Sequence, residues 1–418
     1  MMKRGSGFAL SIMLLSALTL SACSNGEGAA DGGGKKQTIN FVHWRGEDTE
    51  TFNSIISKFE QENPSINVDM TVFSSGDPYN NGLQAMLLSG EGADVFVSTP
   101  GSLFSTLLKS NAFEDLSGTP LLNSFSPDLI KSGQSDGKQY AIPYQLVYNV
   151  PVYNKTMLDK LGIQPPKDWD GFLAMCQKLK DEGITPILYG YDVSPGQLIN
   201  TLVMNLMPED DSFNKFQTGE VKATDPWFAE ALTRFKELVD KGYILKNASG
   251  TKYEGALSLF AQQKGAILAS GSYSMATIAK QNPAIELGLL APITTSGSDA
   301  KYEGVHTTTF MLAVNAKSKH KEAAVQFAEF LAKPDIAAEY ANATGQLLTV
   351  KDVKYDSKEL IIQSEWMSKK TVFQPRLINT NKKIETALNE SLNMIVGGAS
   401  VEKTISTTQA EIDRNLTK

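Results

Sequence analysis

Between residues 38 and 97 the spacing of apolar side chains switches repeatedly between the strand and helix periods, and no other feature restricts the fold as strongly. Residues 38–44 (TINFVHW) have strand character, and Gly46-Glu47-Asp48-Thr49 supplies capping groups for a helix. Phe52, Ile55, Ile56 and Phe59 then share one helical face, which Asn63-Pro64 ends because proline disfavours the helical conformation of the residue before it. Ile66, Val68, Met70 and Val72 alternate as in a strand, residues 79–88 read as a helix closed by Gly90, and 94–97 as a third strand. This order predicts a parallel, doubly wound α/β sheet. Its ligands would sit beyond the carboxyl ends of the strands, around Trp44 and residues 98–101.

A second region begins near 136–143, where a turn leads into an extended segment through Tyr153. Helices are predicted over 169–180 and over 226–241, the latter with Asp225 as N-cap, Pro226 first, Phe228, Leu232, Phe235 and Val239 in a stripe, and Gly242 closing it. Further helices are expected over 321–331 and over 382–417, the last split by Gly397-Gly398. From residue 37 onward the chain is more than twice the commonest domain size, which predicts two lobes.

The first residues give an address. Lys3 and Arg4 precede an apolar run over 8–20 that is short of the roughly 20 residues needed to span a bilayer, as in a signal peptide over residues 1–22. Leu20-Ser21-Ala22-Cys23 resembles the bacterial lipobox, whose Cys thiol is diacylated with palmitate-type chains and becomes the new N-terminus; a plain cleavage site beside a chance cysteine is the competing reading. Residues 23–36 contain no large apolar side chain, which predicts a flexible tether reaching roughly 20 Å. Together these predict a lipid-anchored protein on the extracytoplasmic face of a cell membrane. A single-membrane, Gram-positive source is favoured, because there the anchor prevents loss to the medium.

A net charge of −7 without a dense Lys/Arg cluster argues against nucleic acid and for a neutral ligand. Cys176, in helical spacing with Phe172 and Leu179, reads as a buried core thiol.

Phrases along the body resemble one family, the extracellular solute-binding proteins of ABC sugar importers, the group that contains the maltodextrin-binding protein. They are FEQENPSINV, LQAMLLSGEGADVFVSTPG, DGKQYAIPYQLVYNVPVYNKTMLDKLGIQPPKDWDGF, KGYI, LFAQQKGAILASGSY and LAVNAKSKHKEAAVQFAEFLAKPDIAAEYANATGQL, in that order. The resemblance implies a two-lobe periplasmic-binding-protein-like fold of type II. Its discontinuous lobes would be residues 37–145 with 291–314 and 146–290 with 315–418, crossing near 145–147, 290 and 313–315. It further implies a monomeric receptor for a sugar, with oligosaccharide favoured over monosaccharide. The lobes would close on ligand in a cleft between them, and the closed form would be read by the importer's membrane subunits.

Sugars offer apolar ring faces and many hydroxyls, so aromatic platforms ringed by hydrogen-bonding groups are sought. Trp44, Arg45 and Glu47 follow the first strand, with packing and capping as competing roles for Trp44 and Glu47; Ser98 and Thr99 follow the third, where turn formation competes. By the resemblance, Tyr144, Gln145 and Tyr148 face the cleft, although strand alternation turns one or two of them away. Gly271-Ser272-Tyr273 matches a family motif commonly ending in Trp, which makes Ser272 and Tyr273 candidates, and the smaller ring argues against a long maltodextrin. Tyr191, Asp192, His306 and Arg376 complete the set, with structural roles as alternatives for the last two.

The other function classes are a secreted glycan-acting hydrolase and a receptor for a peptide or polyamine. No nucleophile elbow, zinc-protease or phosphate-loop pattern is present, and three histidines leave few bases or metal ligands, so no catalytic residue, metal or cofactor is expected.

Overall fold

The computed structural model describes residues 36–90, 92–290, 293–295 and 298–416. Residues 36–418 form a compact unit of their own. Cys23 and the expected signal peptide lie outside the described residues, as does all of the tether except Lys36. Among the described residues no helix is long and apolar enough to cross a membrane.

β1 (Gln37–His43) has β2 (Ile66–Val72) parallel on one side, paired from Gln37 with Ile66 to His43 with Val72, and β3 (Val95–Ser98) parallel on the other. α1 (Thr49–Glu62) and α2 (Asp77–Ser89) are the crossovers, and Gly90 ends α2 in the left-handed conformation at φ 73°. Strand side chains alternate between faces, so Ile39 and Phe41 pack with Phe52, Ile55 and Phe59 of α1, while Val42 and Phe96 meet Tyr79, Leu83 and Leu87 of α2. The alternation read from sequence is thus the arrangement observed.

The chain leaves this sheet through β4 (Ile142–Tyr148) and builds a second one. Its strands are β5 (Val152–Asn154), β6 (Thr185–Leu188), β7 (Gly265–Leu268) and β8 (Leu287–Leu289), in the order β8-β5-β7-β6 with only β6 and β7 parallel. α3 (Trp169–Asp181) and α5 (Pro226–Asp240), on either side of α4 (Ser194–Val203) in sequence, bring Phe172, Cys176, Leu179, Phe228, Leu232 and Phe235 into a core with Ile187 and Ile267. Burial pushes the Cys176 thiol pKa up, which keeps it an inert packing group. Two details differ from expectation. Leu238 rather than Val239 is fully buried, and the Asp225 carboxylate accepts from the Lys222 N–H instead of capping α5. The other face of the second sheet meets α6 (Tyr253–Ala261) through Phe260.

β9 (Gly304–Val314) returns antiparallel along β4, and its other edge pairs with β3 at one end and with β10 (Thr371–Phe373) at the other. At about 3.3 Å per residue it is long enough to link the two halves of the molecule.

The expected assignment of 315–418 to the second lobe needs correction. α7 (Lys321–Leu331) and α8 (Pro334–Thr344) pack on the first sheet, because Phe327 and Phe330 repeat at helical spacing and meet Phe41 and Phe59, Phe327 at 5.5 Å from Phe41 and Phe330 at 5.3 Å from Phe59. Only α9 (Lys382–Val396) and α10 (Val401–Arg414) join the second core, through Ile384, Leu388, Leu392 and Ile412.

Candidate functional site

The ends of β1 and β3, the facing strands β4 and β9, and the turns after β7 and β10 converge on a cavity of about 350 Å³. It shares Arg45, Tyr273 and Gln346 with an outer chamber of about 700 Å³, and Gln197 and Arg376 with a side chamber of about 300 Å³. The central cavity therefore receives residues from both sheets, as the switch-point rule for α/β sheets predicts.

Strand periodicity decides which candidates reach it. Gln145, Val147 and Asn149 line the cavity, whereas Tyr144, Leu146 and Tyr148 lie in the apolar core. Across the ladder, Thr309 stands opposite Gln145 and Thr307 opposite Val147, so both threonines share that face. Tyr144 and Tyr148 are corrected accordingly: the Tyr144 hydroxyl donates to the Leu331 carbonyl at 2.8 Å, and Tyr148 packs against Trp366. His306 also turns away, with Nδ1 2.9 Å from the Thr371 hydroxyl and its ring against Phe373. Ser98 is buried with its hydroxyl toward the Thr99 carbonyl, and Ser272 accepts from the Tyr148 N–H at 3.1 Å. These two brace the backbone beside the site and line none of the three chambers.

The remaining candidates border them. Trp44 is half-buried, edge-on to Tyr79 and to Phe310, and lines the central cavity beside Thr99. Phe310 holds φ 48° within β9, a costly conformation for a bulky side chain, and its buried ring sits against His43, Trp44 and Phe52. Glu47 reaches only the outer chamber, Tyr191 and Asp192 only the side chamber. Tyr273 borders the central and outer chambers 6.2 Å from Tyr253. Gly271 makes room for it, since a β-carbon there would lie 2.8 Å from the Tyr273 ring and 3.0 Å from the Tyr148 carbonyl.

Both arginines at the cavity are already neutralised. Arg45 pairs with Glu47 and with the buried Asp48, whose carboxylate also accepts from the Tyr340 hydroxyl at 2.6 Å; Gln145 in turn donates to that hydroxyl at 2.8 Å. Tyr340→Phe should cost about 2 kcal/mol in chemical denaturation, because it strips a donor from a buried carboxylate and an acceptor from Gln145. An unchanged midpoint would mean that this chain of bonds does not hold Arg45 in place. Arg376 pairs with the buried Glu385 at 2.5 Å.

Four polar atoms on cavity residues are buried without a hydrogen-bond partner: Gln197 Oε1, Tyr273 Oη, Gln374 Nε2 and Arg376 Nε. Gln374 shows how this arises. Asn149 donates to Thr307, whose hydroxyl donates to Gln374 Oε1, which leaves the Nε2 donor of the same amide over. Asn149, Gln197, Thr307, Thr309, Gln346 and Gln374 were not anticipated from sequence. Counting two and four residues on from Gln145 would have found Val147 and Asn149, but the partners from β9 and β10 depend on register.

His43 is fully buried, and desolvation, with Asp48 opposing and Arg45 assisting, lowers its pKa to about 4; burial lowers His306 to about 4 as well. Above pH 6.5 both forms of the protein carry these rings neutral. Between about 6.5 and about 4 only the unfolded chain protonates them, so stability should fall with pH by roughly 3 kcal/mol per ring and level off below. His43→Gln should flatten denaturation curves across that window by about one ring's share, and an unaltered slope would refute the assignment.

The chain is 28% identical over 357 residues to the multiple sugar-binding protein of Streptococcus mutans, covering 83% of each. It is 26% identical over 355 residues to the melibiose/raffinose/stachyose-binding protein MelE of Bacillus subtilis, covering 83% of this chain and 81% of that one. Among solved structures it superposes on apo RafE from Streptococcus pneumoniae with a TM-score of 0.78 at 21% identity, over 93% of this chain and 100% of the other, which meets the expected two-lobe α/β fold. Residues 45–338 match the family of bacterial extracellular solute-binding proteins, and with well over half of its length matched this chain belongs to that family.

Proposed function

We propose that this protein is the receptor of an ABC importer for neutral oligosaccharides. It would work as a monomer on the extracytoplasmic face of a Gram-positive cell membrane, held by acyl chains on Cys23 after removal of residues 1–22. The observation that carries the reading is the set of four unpartnered polar atoms, two acceptor-capable and two donors only, around a cavity that also presents Trp44 and Tyr273. A buried unsatisfied group costs about 1–3 kcal/mol, and a sugar hydroxyl, which donates and accepts, can satisfy either kind. Because Arg45 and Arg376 already have carboxylate partners, the cavity does not call for an anion. The family is one of solute-binding proteins, and relatives are named for binding several sugars and for melibiose, raffinose and stachyose.

Ligand would contact Trp44, Arg45 and Thr99, which follow strands of the first sheet, and Gln197 of α4 and Tyr273 in the turn after β7 of the second. Only the closed arrangement offers both sets, so binding favours closure, the state that membrane subunits would read. Calorimetry with di- to tetrasaccharides tests this. Micromolar or tighter binding, with the sugar recovered intact, is expected; newly released reducing ends would instead indicate a hydrolase.

A further inference from the structure

The side chamber beyond Arg376 holds three buried polar atoms that the fold leaves without a partner. It is walled by the start of α4, the loop before it and one face of α9. At its junction with the central cavity lie Gln197 Oε1 and Arg376 Nε, and on the α9 wall Asn389 Oδ1, all buried and all without a hydrogen-bond partner. Gln197 is only 8% exposed, so water does not readily replace the missing partner.

Three of the five charged side chains of the chamber, Arg376, Lys382 and Glu385, are paired with one another. Glu385 pairs with Arg376 at 2.5 Å and with Lys382 at 2.9 Å. Asp192 accepts from the Tyr253 N–H at 2.8 Å, and Glu390 from Asn389's neighbour one turn on, Asn393, at 3.1 Å. The buried groups left over are two amide oxygens and one N–H, and the exposed Asp192 and Glu390 carboxylates at the rim can accept further donors, a set that suits hydroxyl groups. Gly196 lets Arg376 and Asn389 pack close to the α4 backbone: a β-carbon there would lie 3.3 Å from Arg376 Nε and 3.4 Å from Asn389 Nδ2.

We infer that the side chamber is a subsite for one further sugar unit of the same oligosaccharide, meeting the central cavity at Gln197 and Arg376. This rests on the oligosaccharide reading above and specifies it: the site selects tri- and tetrasaccharides over disaccharides. Asn389 and Thr386 are the specificity-determining positions, because both line the side chamber and neither lines the central cavity.

The test is calorimetry on residues 37–418 and on the variants Asn389→Leu and Thr386→Trp, with sucrose, raffinose and stachyose and with maltose to maltotetraose as probes. Thr386 is exposed on α9, so its replacement fills the chamber without touching the core. In the series that binds, the parent should hold a longer member at least about tenfold tighter than the disaccharide. Both variants should lower the longer member to the disaccharide's affinity and leave the disaccharide unchanged. Equal affinities in the parent, or variants that keep the preference, overturn the subsite while leaving the receptor intact. Failure of every sugar to bind removes the oligosaccharide reading itself, and the subsite with it.

Discussion

Arg376→Leu is expected to lower unfolding free energy by about 3 kcal/mol and to abolish measurable sugar binding. Its guanidinium pairs with Glu385, only 4% exposed, so the substitution leaves a buried carboxylate with Lys382 as its remaining partner. Lys382 is largely exposed and screened by solvent, and compensates poorly. The two effects separate in the double variant Arg376→Leu/Glu385→Leu. Removing the stranded charge should restore most of the stability, since a buried ion pair replaced by apolar groups is often neutral. Binding should stay lost, because Arg376 Nε, the donor offered to ligand, is gone. Stability unchanged in the single variant, or binding regained in the double, would contradict this account of Arg376.

Tyr273→Ala is expected to weaken binding by more than about tenfold with little change in stability. The ring borders two chambers, and its hydroxyl is buried next to Tyr253 and Ser270 without forming a well-aligned hydrogen bond. Removing it therefore deletes an apolar platform and a buried hydroxyl whose polar neighbours are Tyr253 and Ser270. Tyr273→Phe should recover most of the loss if the ring face carries the contact, and little if the hydroxyl does. Titration calorimetry on both variants, with circular dichroism to confirm folding, distinguishes these cases; unchanged affinity in Tyr273→Ala removes the residue from the site.

The fold was legible where a periodic segment meets its own neighbour. Phe52, Ile55, Ile56 and Phe59 announce α1, and Ile66 to Val72 announce the strand beside β1, because both patterns are fixed within a few residues. The placement of α7 and α8 was not legible. Their apolar stripe states that they bury a face, but not which sheet receives it, and the lobe boundary was misplaced for that reason. The site divides the same way. Trp44, Arg45 and Thr99 follow strands whose ends are visible in sequence, and all three border the central cavity. The resemblance places Tyr144, Gln145 and Tyr148 together at the cleft, but strand alternation lets only one set face it, and Gln145 takes the cavity face. Thr307 and Gln374 come from segments far away in sequence, joined to β4 only through the ladder of β9 with its two neighbours.

The central claim is that the cavity between the two sheets holds a neutral oligosaccharide. Thermal unfolding of residues 37–418 measures it most directly, because a ligand that binds only the folded state raises its stability by RT ln(1 + [L]/Kd). At a concentration about a hundredfold above Kd the gain is about 2.7 kcal/mol, or an upward shift in Tm of about 3 °C. Such a shift with at least one di- to tetrasaccharide, and none with peptides or polyamines, is the predicted result; a shift with a peptide or polyamine and with no sugar would contradict it.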